Sequence, residues 1–292
     1  MAKKTKEITT YSPMNKSCTN FEPFSDTTYN WNYSGLHCHD FFEFYLFFSD
    51  SAYYYLNEQV VPLKRCTLLI LPPFYLHGFI GNQIIEKYDR SWLYITPAAL
   101  QAIGMGIQDF SAYFSKCVQT GKSYFYIDEK TAEECRTIIQ KIDKNSAIQS
   151  KSNRWKNYLY VAEFLSKIYD VAQVSDTLAT PITLNNDIQS VLVYINNHFT
   201  EDISIPELSH LFSISSSHLA RTFSSYTGRS IYDYVLYRRI MLAKELIYSG
   251  KPFTEVSFEC GFNDYSGFLR AFRKLTGQSP STYRKYITVL ID

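Results

Sequence analysis

The 292-residue chain contains six cysteines (18, 38, 66, 117, 135 and 260) but no CxxC pair and no even framework. Free thiols in a reducing compartment are expected, not a disulfide scaffold. The chain also lacks a charge of one sign. Its 29 Lys and Arg against 28 Asp and Glu leave +1, so bulk charge points to no partner. No apolar run reaches the ~20 residues needed to cross a bilayer. The most apolar stretches, 41–48 and 67–76, are short and are broken by Glu43 or by Pro72-Pro73. The opening MAKKTKEITTYS is polar and leads into no apolar segment, so no signal peptide is expected. P-loop, dinucleotide fingerprint and G-x-S-x-G elbow are all missing. These absences predict a soluble cytoplasmic protein with no membrane partner, no cofactor and no catalytic residues.

Aromatic residues are abundant. With 25 Tyr and 21 Phe the chain carries far more apolar surface than a disordered one, and its length predicts two domains. The first half reads as strands at 41–48, 53–56 and 67–71, rich in aromatic and branched residues. Gly35, Pro62, Pro72-Pro73, Gly78 and Gly81 punctuate them at the spacing of a small sandwich or barrel. Near residue 131 the texture turns helical. Thr131-Ala-Glu-Glu resembles a capping box, followed by Ile138, Ile139 and Ile142 at helical spacing. A second helix, carrying Trp155, Leu159, Ala162, Leu165, Ile168 and Tyr169, should end near Val174. The polar stretch SDTLATPITLNND, centred on Pro181, has no period and reads as a linker over 176–185. It separates a domain of residues 1–175 from one of residues 186–292.

The second half repeats itself. Leu208-Ser209 recurs as Val256-Ser257, and Arg221, Phe223, Thr227-Gly228 and Ser230 recur as Arg270, Phe272, Thr276-Gly277 and Ser279. A short helix, a turn and a second helix used twice is the pattern of two helix-turn-helix units. In the first copy Pro206 occupies a first-turn position, Leu208 and Leu211 should be core, and Ser215 or Ser216 should cap the second helix. Leu219, Phe223 and Tyr226 then face inward. In the second, Gly261 should supply the turn and Asp264 the cap, with Phe268, Phe272 and Leu275 as core. Residues 231–249 read as one helix joining the copies. Residues 186–292 hold 11 Lys and Arg and 10 Asp and Glu, yet five basic residues and no acid lie between Tyr265 and Ile291. By itself such a run could be a solvated helical face.

The stretches IPELSHLFSISSSHLARTFSSYTG and EVSFECGFNDYSGFLRAFRKLTGQSPSTYR, with Arg239-x3-Ala243-x2-Leu246 between them, resemble the double helix-turn-helix domain of the AraC/XylS family of transcription regulators. The resemblance implies double-stranded DNA as a partner, a homodimer, and RNA polymerase if the protein activates. It also implies that Ser216, Ser217, Ala220 and Arg221 of the first recognition helix, and Tyr265, Ser266, Leu269 and Arg270 of the second, face the bases. Arg273 and Lys274 would hold phosphate. Arg suits guanine because its fork pairs O6 and N7 together, whereas Ala220 and Leu269 can touch only a thymine methyl. Arg221 and Arg270 could instead pair with acids of the joining helix. The chain departs from the family with Ser209 and Ser257 where Ala is usual and Ser224 where a basic residue is common.

In the first half, a strand beginning at Leu36 would place His37, His39, Glu43 and Tyr45 on one face and Phe42, Phe44 and Leu46 on the other. Cys38 would alternate away from the histidines. The spacing H-x-H-x3-E, with His77 later, resembles the metal pattern of cupins, small jelly-roll barrels. Three readings stay open: a catalytic metal site, a cluster that hydrogen-bonds a small effector, or buried structural histidines. The AraC resemblance implies an effector sensor, often metal-free. The expected fold is therefore a cupin-like β-barrel with a helical pair, the latter a dimer surface, followed by an all-α double helix-turn-helix. The expected effector pocket comprises His37, His39, Glu43, Tyr45, His77, Trp92 and Tyr94, with Trp31 and Tyr88 as further aromatic walls suited to a carbohydrate. The rival is a metal-dependent cupin enzyme fused to a DNA-binding domain.

Overall fold

A computed structural model describes residues 20–32, 35–56, 59–80, 83–147, 150–174 and 187–289. Gly81 and the expected linker at 176–185, with Pro181, lie outside the described residues. The first half builds two antiparallel sheets. One has the strand order β1 (Phe21–Trp31), β8 (Ile85–Ile95), β3 (Phe42–Phe47), β6 (Thr67–Leu71), β9 (Tyr124–Tyr126). The other runs β2 (Gly35–His37), β7 (His77–Phe79), β4 (Ser51–Leu56), β5 (Gln59–Lys64). Period-two alternation sorts the side chains into layers. Tyr45 and Phe47 of β3 meet Tyr54 and Leu56 of β4 between the sheets. Phe42, Phe44 and Leu46 point the other way, under four helices: α1 (Pro97–Gly104), α2 (Phe110–Gln119), α3 (Glu129–Ser146) and α4 (Lys151–Val174).

Local chemistry shifts two expected boundaries. Helix α3 opens at Glu129, not at Thr131, because the Asp128 carboxylate accepts the Thr131 N–H at 2.9 Å. The strand expected from Leu36 is two strands: the chain leaves the four-stranded sheet after His37, crosses through 38–41 and enters the five-stranded sheet at Phe42. Alternation along one strand therefore does not relate His37 to Glu43 and Tyr45. Gly78 permits the close approach of β7 to β2. Its φ is +148°, and a Cβ there would stand 2.1 Å from the Gly35 carbonyl oxygen.

The second half is helical: α5 (Asp187–His198), α6 (Ile205–Leu211), α7 (Ser216–Thr227), α8 (Ile231–Tyr248), α9 (Phe253–Glu259), α10 (Tyr265–Thr276) and α11 (Pro280–Val289). Helices α6 and α7 form one helix-turn-helix, α9 and α10 the other, and α8 joins them. The repeated F-x3-T-G closes α7 and α10 in the same way. Thr227 donates its hydroxyl to the Phe223 carbonyl at 2.9 Å, and Thr276 donates to that of Phe272 at 2.8 Å. Gly228 and Gly277 then take left-handed φ of 76° and 74°. Leu211, expected in the core, is 54% exposed, since the short α6 buries only its Leu208 side.

The two halves share a core, against the expectation of separate ones. Leu36, Tyr55 and Leu76, on the outer side of the four-stranded sheet, pack in one cluster with Leu192, Tyr226, Tyr237 and Met241. Each fully buried side chain of this kind contributes roughly 1.5–3 kcal/mol.

Candidate functional site

On α7, Ser216, Ser217 and Arg221 are exposed and Ala220 is half-buried. On α10, Ser266, Arg270, Arg273 and Lys274 are exposed, whereas Tyr265 and Leu269 are half-buried. Phe268 and Phe272 anchor α10 inward, which turns the three basic side chains outward on adjoining turns. Asp264 caps this helix through the Gly267 N–H at 2.7 Å. Ser215 holds the capping position of α7 but makes no side-chain cap bond, and Ser216 donates instead to the Ser209 hydroxyl at 3.1 Å.

In the first half the sheet switch, not strand parity, gathers the histidines. His37 and His77 are cross-strand partners in β2 and β7, with ring centroids 4.4 Å apart. His39, from the crossing segment, brings its ring to 4.9 Å from that of His77. Glu43 lies beneath both: its Oε2 is 2.9 Å from His39 Nε2 and 3.3 Å from His77 Nε2. The other ring nitrogens face backbone carbonyls, His39 Nδ1 to Phe41 at 2.9 Å and His77 Nδ1 to Tyr75 at 2.6 Å. Each ring thus stands between two acceptors. A neutral imidazole has one N–H, so it can satisfy only one of them. Burial holds the His37 and His39 rings below their ordinary pKa, which disfavours the doubly protonated form. Burial by itself would raise the Glu43 pKa, but hydrogen bonds from His39 and His77 outweigh it and keep the carboxyl below its usual range. The cluster is therefore short of positive charge or of hydrogen-bond donors, and the 3.3 Å from His77 Nε2 to Glu43 is its longer, weaker contact.

The remaining expected pocket residues line one side of this cluster at increasing distance. The Tyr94 ring is 5.5 Å from His39, and Trp92 lies 5.7 Å beyond it. Tyr45 bonds the Tyr88 hydroxyl at 2.8 Å, and its ring lies 6.4 Å from Trp92. Trp31 packs on Tyr88 at 4.5 Å. A ligand-metal geometry is also available: donor atoms of His37, Glu43 and His77 fall within 4.8 Å of one another. Nδ1–H bonds to carbonyls would orient His39 and His77 with Nε2 free for a cation.

Sequence reasoning missed the residues between the halves. Asp40, Tyr237, Lys244 and Tyr283 meet at the crossing segment, and Lys244 is wholly buried. A lysine on the inward face of α8 is the only trace this leaves in the sequence.

Two packed antiparallel sheets with helices are thus followed by a pair of helix-turn-helix units. The AraC-like ligand binding domain family matches residues 19–140, and a helix-turn-helix domain family matches 208–286. The chain carries a domain similar to the AraC-like ligand binding domain and a helix-turn-helix domain. It is similar to a probable transcriptional regulator, LumQ, of Photobacterium leiognathi, with 30% identity over 171 residues, 58% of this chain and 65% of that protein. An uncharacterised HTH-type transcriptional regulator of Staphylococcus aureus (strain COL) is 36% identical over 103 residues, 35% of this chain and 14% of that protein. The chain thus spans less than two thirds of the length of these relatives. Among solved structures, ToxT from Vibrio cholerae O395 aligns over 92% of this chain and 98% of its own, at 12% identity and a TM-score of 0.37.

Proposed function

We propose that the chain is a cytoplasmic, effector-responsive transcription regulator that binds specific double-stranded DNA. The observation that carries this is the pair of helix-turn-helix units, closed alike by F-x3-T-G, with expected reading residues exposed on the surface: Ser217 and Arg221 on one, Ser266 and Arg270 on the other. Arg270 would read guanine through O6 and N7 while Arg273 and Lys274 hold phosphate. Two units joined by one helix would enter adjacent major-groove segments about 34 Å apart, so one protomer needs no palindrome. The test is selection of duplexes from a random library by the purified chain. Enrichment of one bipartite sequence is expected; indifference to sequence would overturn the reading.

The His37–His39–Glu43–His77 cluster is proposed as the effector pocket, with Tyr94 and Trp92 as walls and Tyr45 behind them. A pocket short of donors suits a polyhydroxylated ligand, and stacked aromatics suit the apolar face of a sugar. His39→Ala should abolish the effector response in a protein that circular dichroism shows to be folded; an unchanged response would return these histidines to a structural role. A second reading is favoured by the convergence of donor atoms from three side chains: a divalent metal held by His37, Glu43 and His77, which as a Lewis acid could polarise a bound ligand. Stoichiometric Fe, Mn or Zn with substrate turnover would support the enzyme rival. Metal-free protein that still binds its effector would exclude it.

A homodimer is proposed through the helical pair. Trp155 and Leu159 of α4 are 71% and 63% exposed beside a groove of about 500 Å³ against α1. Exposed aromatic surface of this kind marks association sites. RNA polymerase would be a further partner if the output is activation.

A further inference from the structure

Helix α8 reaches the sensor at three places. The Tyr237 hydroxyl donates to the Cys38 carbonyl at 2.8 Å and accepts the Cys38 N–H at 2.6 Å. The buried Lys244 ammonium lies 2.9 Å from Asp40 Oδ2, which also accepts the Tyr283 hydroxyl of α11 at 2.9 Å. Tyr55 of β4 is reached through Asn196, which donates to its hydroxyl at 2.9 Å and accepts from Tyr234 at 2.7 Å and Arg238 at 2.5 Å. Residues 234, 237 and 244 recur at near-helical spacing, so they form one stripe.

The crossing segment 38–41 that α8 holds also covers the cluster. His39 belongs to it, bonded to the Phe41 carbonyl and stacked on the Phe41 ring at 4.1 Å. His39 and Glu43 are each 4% exposed and His77 has no exposed surface, whereas His37 is half-buried, so a ligand of several atoms meets His37 first and reaches the other three only if the chain around them moves. Moving it disturbs Cys38 and Asp40, and with them a buried ion pair whose partners are costly to separate. Ser217 and Arg221 of α7 and Ser266 and Arg270 of α10 stay exposed while α8 is docked. The contact therefore sets how the two units are held rather than whether they are covered.

We infer that segment 38–41 is one moving part with two roles: it closes the histidine cluster and it seats the helix joining the two helix-turn-helix units, so that a ligand entering the cluster releases α8. Asp40, Tyr237 and Lys244 are then positioning residues for DNA recognition although none faces DNA. The inference rests on the pocket reading for its ligand, but its test needs none. Coupling between sites is reciprocal, so the DNA-binding half must act on the segment as the segment acts on it.

Hydrogen exchange on the full chain tests this, with Tyr237→Phe and Lys244→Met beside the wild type. Each variant should speed exchange of residues 38–43 by about tenfold while β6 and α3, in the other core, keep their rates. Saturating the wild type with its selected duplex should change exchange in the same segment. Unchanged rates at 38–43 in both folded variants would overturn the inference, as would an equal rise in β6 and α3, which is general loosening. A wild-type segment indifferent to DNA would overturn it too. Exchange changes as expected, with no small molecule ever protecting the cluster, would instead fail the pocket reading alone.

Discussion

The two helix-turn-helix units share a plan and differ in how they meet their surroundings. The second has a carboxylate cap at Asp264, a glycine turn at Gly261 and three exposed cations on its recognition helix. The first has no side-chain cap at Ser215, a serine in the left-handed turn (Ser213, φ 54°) and a single exposed arginine, Arg221, among its expected reading residues. The first also packs directly against the first half of the chain, where α7 touches β2. On the proposed reading the duplicated unit would be divided in labour: the second copy would grip DNA more firmly, and the first would give up grip and local stability where the first half of the chain touches it.

Substitutions can break or sharpen that contrast. The largest effect is expected at Gly261. Its φ is +79°, and a Cβ there would stand 2.2 Å from the Thr200 carbonyl oxygen. Gly261→Ala should cost about 3 kcal/mol in denaturant unfolding. Its counterpart runs the other way: Ser213→Gly relieves a left-handed side-chain residue and should stabilise by about 0.5–1 kcal/mol. On DNA, Arg270→Ala should weaken the selected duplex by about 1–3 kcal/mol and relax one base pair, whereas Arg221→Ala should cost less than about 1 kcal/mol in the same titration. Asp264→Ala should lower stability by about 1 kcal/mol, and Ser215→Ala by only a few tenths. Smallest, Lys274→Ala should weaken all duplexes alike and reduce the salt slope by about one.

Legibility followed the burial pattern. β3, β4 and β6 are aromatic and branched and stand out in the sequence. β1 and β8 were not legible, because charged and hydroxyl residues such as Asp26, Lys87 and Arg90 interrupt any alternation along them. The helices of the second half were readable to the capping residue at Asp264, since a fixed motif repeats there. Leu211 was misplaced because helical period assigns a face but not what covers it. The histidine cluster was found for an incomplete reason: spacing named the residues, but a sheet switch brings them together. The shared core was invisible, because Leu36, Tyr55 and Leu76 look like any strand residues until α8 is placed against them.

Binding to the selected duplex, scanned by substituting every base pair, tests the division of labour most directly. The account predicts two blocks of sensitive base pairs about one helical turn apart, with the larger penalties in the block that Arg270→Ala desensitises. A single block, or a dominant block that loses its sensitivity with Arg221→Ala instead, would contradict it.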